Sequence, residues 1–271
     1  MREPWIYIVG GRKGVGKSVQ SKKEAESYAK IHNKPALVFD VNFPNEQTYA
    51  DWPLLSMRDV GKVKGAQCRR IPPVNPDGSI MTYTQKQDAV GEIIRDARDC
   101  FILLEDYNKY FQGARAQAMM EILTTNRHSR IDLGIHIQNI LKMDPTTWEN
   151  ANLIRLHKQS APLKRLAKRD VVDNLELLLI AEAIVNSQYR QNKRYFLYVY
   201  TDYNKLGNVS LQQLRDGCRW YLEENPNVEN DIYKKMNLKA RNEKDKIKKK
   251  SLASFEKALN YFVNEKQEYL K

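Results

Sequence analysis

The sequence predicts an α/β fold with a mostly parallel central sheet flanked by helices, on three observations. Short apolar runs alternate along the chain with segments of helical spacing. The first run, Trp5-Ile6-Tyr7-Ile8-Val9, leads into Gly11-Arg12-Lys13-Gly14-Val15-Gly16-Lys17-Ser18, which fits G-x-x-x-x-G-K-[ST] at every defined position. A later run, Cys100-Phe101-Ile102-Leu103-Leu104, is apolar throughout, as a strand covered on both faces requires, and it ends in Glu105-Asp106.

In chain order, Trp5–Val9 reads as a buried strand and Val19–Ala29 as a helix, so the Gly-rich stretch is a strand-to-helix turn. That context makes it a phosphate-cradling P-loop. Its glycines let backbone N–H groups approach phosphate oxygens with no Cβ in the way. The helix that follows turns the positive end of its dipole toward them. The cradle comprises Gly11, Lys13, Gly14, Val15, Gly16, Lys17 and Ser18. Lys17 is expected to reach the β- and γ-phosphates of ATP, and the Ser18 hydroxyl to hold Mg²⁺.

Pro35–Val41 reads as a second strand, with Asp40 near its end. Residues 42–84 carry Pro44, Pro53, Pro72, Pro73 and Pro76; within them a strand is expected at Gln67–Ile71 and a turn at Asn75-Pro76-Asp77-Gly78. Gln85–Arg98 is a helix with Ala89, Ile93, Ile94 and Ala97 on one face. After the acid strand come a helix at Ala114–Thr125 and strands at Asp132–Gln138 and Asn152–His157. Asp170–Arg190 is a long amphipathic helix, Arg194–Thr201 a strand, Asn204–Gly207 a turn, and Ser210–Glu223 a helix with Ser210 as N-cap. A last helix, Leu252–Leu270, aligns Phe255, Leu259, Phe262 and Val263 on one face, ready to dock on a core or a neighbouring subunit. The expected division is a P-loop ATPase core over residues 1–205 and a helical, basic C-terminal extension over 206–271.

With 271 residues and a 42% apolar share, the chain can bury a real core. No apolar run approaches the roughly 18–20 residues that span a bilayer, and the N-terminus has no signal-peptide pattern. The expectation is a soluble, cytoplasmic protein without membrane insertion. Cys68, Cys100 and Cys218 are widely spaced with no C-x-x-C pair, and the four histidines show no zinc spacing, so reduced structural thiols are expected. The net charge of +12 favours a polyanionic partner, usually nucleic acid. It is uneven: Lys234 to Lys250 holds nine basic residues against Glu243 and Asp245, a pattern suited to phosphate backbone without sequence readout. Tyr195, Tyr198 and Tyr200 read as sheet-packing residues in preference to base-stacking ones.

ATP hydrolysis needs one acid near the metal and another to orient or deprotonate the attacking water. An apolar strand delivers such acids to the C-terminal edge of the sheet, and by position Glu105 serves the metal and Asp106 the water. Gln138, ending the next apolar strand, can donate to phosphate and accept from water. P-loop, acid pair and strand-end glutamine together form the layout of ATPases with an extra strand between the P-loop strand and the acid strand.

The segment Asn126-Arg127-His128-Ser129-Arg130-Ile131-Asp132-Leu133-Gly134-Ile135-His136-Ile137-Gln138 resembles the stretch of FtsK–HerA superfamily ATPases that ends in the sensor glutamine, most of all the Zot-like and viral packaging branches. Asp40 matches a recurrent acid of that superfamily. The resemblance covers Trp5 to His157. It implies a RecA-like core, a ring that is typically a hexamer, DNA moved through its channel, and a trans-acting arginine that completes a neighbour's site. Arg127 and Arg130 are the candidates, with Arg155 as a third; a planar, permanent charge suits a transferring phosphoryl group. Zot-like proteins usually carry a transmembrane segment and cellular members added domains, so a compact basic chain fits the viral genome-packaging branch. That branch implies capsid or portal-vertex partners and a location in the host cytoplasm or the virion. A rival reading rests on Lys13: G-x-K-G-x-G-K-S resembles the deviant P-loop of ParA/MinD partition ATPases, whose extra lysine reaches a dimer partner's phosphate. Asp40-Val41-Asn42-Phe43-Pro44 resembles their acid-x-x-x-Pro switch, whereas Glu105-Asp106 followed by Tyr107-Asn108, and Gln138, do not fit them. A third reading, a nucleic-acid-binding or scaffolding protein with a degenerate ATPase, rests on the Glu-then-Asp order.

Overall fold

In the computed structural model of the protein, the described residues are 4–110, 128–143, 145–168, 175–236 and 252–271. The expected helix Ala114–Thr125, Arg127 and most of the basic run after Met236 lie outside them. Eight strands form one sheet: β1 (Ile6–Gly10), β2 (Ala36–Phe39), β3 (Cys68–Ile71), β4 (Phe101–Leu104), β5 (Asp132–Ile137), β6 (Leu153–His157), β7 (Phe196–Tyr200) and β8 (Lys205–Gly207). Their spatial order is β3-β2-β4-β5-β1-β6-β7-β8. The six strands from β3 to β6 run parallel, and β7 and β8 are antiparallel additions.

Sequence and position agree strand by strand. β1, β2, β4, β5 and β6 are buried at every residue, which the continuous apolar runs demand of strands covered by helices on both faces. β7 alternates between half-buried and buried residues, as a strand near an edge should. The α-helices among the described residues are α1 (Lys17–His32), α2 (Tyr83–Asp96), α3 (Pro145–Glu149), α4 (Leu175–Tyr189), α5 (Leu211–Glu224), α6 (Pro226–Lys235) and α7 (Leu252–Lys266). Capping boxes start two of them: Thr82 with Gln85 before α2, and Ser210 with Gln213 before α5. Gly217 brings α5 against α4, since a Cβ there would sit 2.2 Å from Ile184 Cγ1.

The face expected on the last helix does dock on the core. Leu259, Phe262 and Val263 are buried in the same apolar cluster as Leu214, Cys218 and Leu222 of α5. Ion pairs from Arg215 and Arg219 to Glu256 flank this packing. Tyr195 is buried and Tyr198 and Tyr200 pack against the sheet, as expected of packing residues. One element differs from the reading above. Residues 205–207 form strand β8, not a turn, and Leu206 is buried. Asn204 and Asn208, both at positive φ, bound these three residues and disguise them as loop. No helix among the described residues is long and apolar enough to cross a membrane.

The register decides what meets at the sheet's C-terminal edge. Leu104 pairs with Ile135, and Gly10 with Ile137, so the residues leaving β4, β5 and β1 emerge side by side. Those residues are Glu105-Asp106, Gln138 and Gly11.

Candidate nucleotide site

β1 ends in the P-loop, and the backbone there accepts glycine alone at the key points. Gly14 and Gly16 have φ of 81° and 83°, in the left-handed region that side chains disfavour. At Gly11 a Cβ would lie 2.6 Å from that of His157. The loop is fastened at its start by Gly11 N–H to the Ile137 carbonyl (3.1 Å) and Arg12 N–H to the Lys158 carbonyl (2.8 Å). Lys17 opens α1 and folds back over the loop, its Nζ donating to the carbonyls of Gly11 (2.7 Å) and Arg12 (3.0 Å). Burial pushes its ammonium pKa down, against the pull of Asp106 and Glu105. A phosphate in the cradle would replace two carbonyl dipoles with full negative charge, a better partner for that cation.

The two acids occupy different environments. Glu105 is 2% exposed. Its Oε1 accepts from the Tyr49 hydroxyl (2.5 Å), its Oε2 lies 2.8 Å from His136 Nδ1, and Ser18 also hydrogen-bonds the carboxylate. Burial pushes this carboxyl up, but His136, Tyr49 and Ser18 outweigh it and leave the pKa below the ordinary range. Asp106 is half-buried and turned outward by a φ of 42°. Its oxygens accept from Gln138 Nε2 (3.1 Å), Asn42 Nδ2 (3.2 Å) and Lys109 Nζ (3.0 Å). Here too burial works upward and the donors, Gln138 first, prevail, so its pKa is lowered. Asp106 and Gln138 line a cavity of about 420 Å³ together with Arg12, Lys13, Lys142 and Ser160.

A hydroxyl and a buried carboxylate in contact are hard oxygen donors of the kind Mg²⁺ takes. Mg²⁺ commonly completes its shell with water and substrate phosphates, so a single protein acid beside the P-loop serine fits it. No cluster of three His, Cys, Asp or Glu side chains suited to a metal occurs among the described residues.

The expected residues Gly11, Lys13, Gly14, Val15, Gly16, Lys17, Ser18, Glu105, Asp106 and Gln138 therefore converge on one edge of the sheet. The arginines do not. Arg130 stands before β5, at the opposite edge, with φ of 54° and an ion pair to Asp99. Arg155 is fully buried in β6, paired with Glu24 and donating to the Lys17 carbonyl (2.9 Å) and Ser21 Oγ (2.5 Å). It cannot reach a neighbouring subunit and is a structural residue of the P-loop helix. Arg127 lies outside the described residues. Asp40 is also fully buried, paired with Arg70 at 2.6 Å. Tyr49, His136, Asn42, Lys109 and Lys142 are additions made by the structure. His136 alone had a visible signal, a polar side chain inside an apolar strand.

The fold and the site define a P-loop NTPase architecture in which β5 separates the phosphate-loop strand from the acid strand. No family model matches the sequence, and no curated protein matches it significantly. Solved structures do. The genome packaging NTPase B204 from Sulfolobus turreted icosahedral virus 2, in complex with ATP-γS, superposes with a TM-score of 0.55 at 19% identity, covering 76% of this chain and 97% of B204. Its complex with AMPPCP gives 0.53 at 18% identity, covering 75% and 95%. B204 described as the DNA-packaging ATPase from Sulfolobus turreted icosahedral virus gives 0.53 at 17% identity, covering 76% and 97%. At such identities the likeness is one of fold.

Proposed function

We propose that this protein is an ATP-hydrolysing DNA translocase of the viral genome-packaging kind, acting as a ring that is typically hexameric. The observation that carries the reading is the direct bond between Asp106 and Gln138 beside the P-loop, with β5 between the two motif strands. The fold it shares with viral packaging NTPases supports it.

In this reading Lys17 exchanges its two carbonyl partners for the β- and γ-phosphates, and the loop N–H groups hold the same oxygens. Mg²⁺, held by Ser18 with Glu105 behind it, supplies charge neutralisation of the phosphates when bound. Asp106 takes the proton of the attacking water, and its lowered pKa keeps it ionised to do so. Gln138, already bonded to Asp106, orients that water from its amide oxygen or donates to the γ-phosphate. An arginine from a neighbouring subunit, Arg127 or Arg130, stabilises charge on the transferring group; Arg130 lies across the sheet from its own site, so it can act only in trans. The net charge of +12 suits DNA as cargo. Capsid or portal-vertex proteins are the further partners this role implies, in the host cytoplasm or the virion.

Lys13 is exposed and lines the same cavity as Asp106 and Gln138, which is compatible with the partition-ATPase alternative. Mass measurement with DNA and a nonhydrolysable ATP analogue separates the two: a ring supports the translocase, a nucleotide-gated dimer the partition ATPase. ATP turnover abolished by Lys17→Ala is expected in either case, and its absence in the wild type would leave the degenerate, DNA-binding reading.

A further inference from the structure

β1 and β4 are not neighbours, because β5 lies between them. The ladders of β5 register the acid strand against the P-loop strand only indirectly, and the last step from Glu105 to the P-loop helix is made by side chains. β5 supplies one. His136 is fully buried in the run Asp132–Ile137, and both its ring nitrogens are used. Nδ1 lies 2.8 Å from Glu105 Oε2, and Nε2 lies 2.6 Å from Ser21 Oγ. Ser21 is one turn into α1, the helix that begins at Lys17. Its Oγ also accepts from Arg155 Nη2 (2.5 Å), which donates in addition to the Lys17 carbonyl (2.9 Å).

With Arg155 donating to Ser21 Oγ, the serine can give its own proton to His136 Nε2; in that tautomer Nδ1 carries the ring proton and donates to Glu105. A continuous chain thus runs from the Lys17 carbonyl through Arg155, Ser21 and His136 to Glu105. A histidine that merely filled space would not need both nitrogens aimed at the acid and at the phosphate-loop helix.

We propose that His136 is a positioning residue: it locks the Glu105 carboxylate in register with the P-loop helix, so that Ser18 and Glu105 present a preformed oxygen pair to the nucleotide-bound divalent cation. The inference rests on the nucleotide-site reading above and concerns metal affinity, one step upstream of turnover. Groups that orient an oxygen or nitrogen ligand from behind commonly change metal affinity about 10–100-fold when removed.

Two near-isosteric variants divide the ring's functions. His136→Asn places an amide nitrogen near the Nδ1 position and keeps the donor to Glu105. His136→Gln places one near the Nε2 position, where it can donate to the second lone pair of Ser21 Oγ, and leaves Glu105 without its donor. Binding of a fluorescent ATP analogue in EDTA reports on the loop alone and is expected to be close to wild type in both. Mn²⁺ affinity of the nucleotide-loaded protein, read by electron paramagnetic resonance, is expected to fall about 10-fold or more in His136→Gln and by a smaller factor, about 3-fold, in His136→Asn, which keeps the donor to Glu105 but gives up the link to Ser21. Equal effects in the two variants, or none, would overturn the proposal. If His136→Gln does not fold, Ser21→Ala decides: it cuts the chain without touching the acid, and unchanged Mn²⁺ affinity there would likewise overturn it. A wild type that binds no nucleotide at all would sink the nucleotide-site reading, a result distinct from bound nucleotide with unaltered metal affinity.

Discussion

Replacing Asp106 with asparagine tests the assignment of the water-activating acid. The change keeps size and shape but removes the charge. Three donors converge on this carboxylate: Gln138 Nε2, Asn42 Nδ2 and Lys109 Nζ. An amide has one acceptor oxygen in place of two, so at least one of the three must give up its bond and face an NH₂ group. Gln138 bonds Oδ1, whereas Asn42 and Lys109 share Oδ2; half-exposed Lys109 turns to water and the Asn42 amide can flip to accept from the new NH₂, so the asparagine oxygen is expected to keep Gln138. The fold should survive, and nucleotide affinity should change little because Lys17 and the loop are untouched. General-base catalysis is worth about 10²–10⁴-fold, so kcat should fall by that factor, about 2.7–5.4 kcal/mol of transition-state stabilisation. Steady-state turnover with a coupled assay, alongside equilibrium binding of an ATP analogue, measures both. The pH profile supplies a second readout. A carboxyl with a lowered folded pKa stays ionised to a lower pH, so wild-type kcat should hold as pH falls below the usual aspartate range and decline only through the depressed pKa. A drop in kcat of less than about 10-fold in Asp106→Asn would refute the assignment, because removing a true general base costs more than that.

Three other perturbations test the buried arginine, the helix packing and the basic run. Arg155→Ala leaves Glu24, Ser21 and the Lys17 carbonyl without their shared donor inside the fold; breaking a buried pair in this way costs about 3–5 kcal/mol, to be seen as a lower denaturation midpoint, and a loss below about 1 kcal/mol would contradict the burial argument. Gly217→Ala would put a Cβ 2.2 Å from Ile184 Cγ1 and within 2.9 Å of the Ile184 backbone, so side-chain rotation cannot relieve the clash; overpacking of about 1–3 kcal/mol should exceed the gain of about 1 kcal/mol from helix propensity, and chemical denaturation should show a net loss. Substituting Lys244, Lys246, Lys248, Lys249 and Lys250 with glutamine should flatten the salt dependence of DNA binding by about 0.9 in log–log slope for each phosphate no longer neutralised; an unchanged slope would exclude this run from the DNA interface. Substitution is the appropriate design here because truncation after Met236 would remove α7 and uncover Leu214, Cys218 and Leu222.

The core of the sheet was legible because its strands are mostly apolar runs punctuated by turn residues, the composition that favours burial on both faces; His136 inside β5 and Arg155 inside β6 are held by the carboxylates of Glu105 and Glu24. The motif residues were legible for a related reason. Gly11–Ser18 encodes a backbone conformation, and Glu105, Asp106 and Gln138 are marked by standing immediately after such runs. What was illegible depends on packing between distant segments. Tyr49 lies in a proline-rich stretch with no periodicity, yet its hydroxyl reaches Glu105 across 56 residues of sequence. β8 has only three residues, too few to show a period. Arg155 looked like a free cation because charge alone does not reveal that Glu24, Tyr7 and Tyr198 gather at its side of the sheet: both tyrosine hydroxyls donate to the carboxylate that Arg155 neutralises.

The order of the two acids, Glu before Asp, finds a physical reason in where each backbone position points. Residue 105 continues β4 inward, where its N–H still bonds the Phe39 carbonyl (3.2 Å), and its side chain must span the gap that β5 opens between acid strand and P-loop strand. The longer glutamate covers that gap and reaches Ser18, with Tyr49 and His136 fixing the extra rotatable bond. Residue 106 leaves the sheet in a left-handed conformation that aspartate tolerates better than glutamate, and this turns a short carboxylate toward Gln138 and the open cavity. A buried, immobilised acid behind a serine is suited to a fixed cation, and a partly exposed acid bonded to an amide is suited to a proton that must come and go. Exchanging the residue types would shorten the first reach and strain the second turn, so the inverted order is the one this backbone favours.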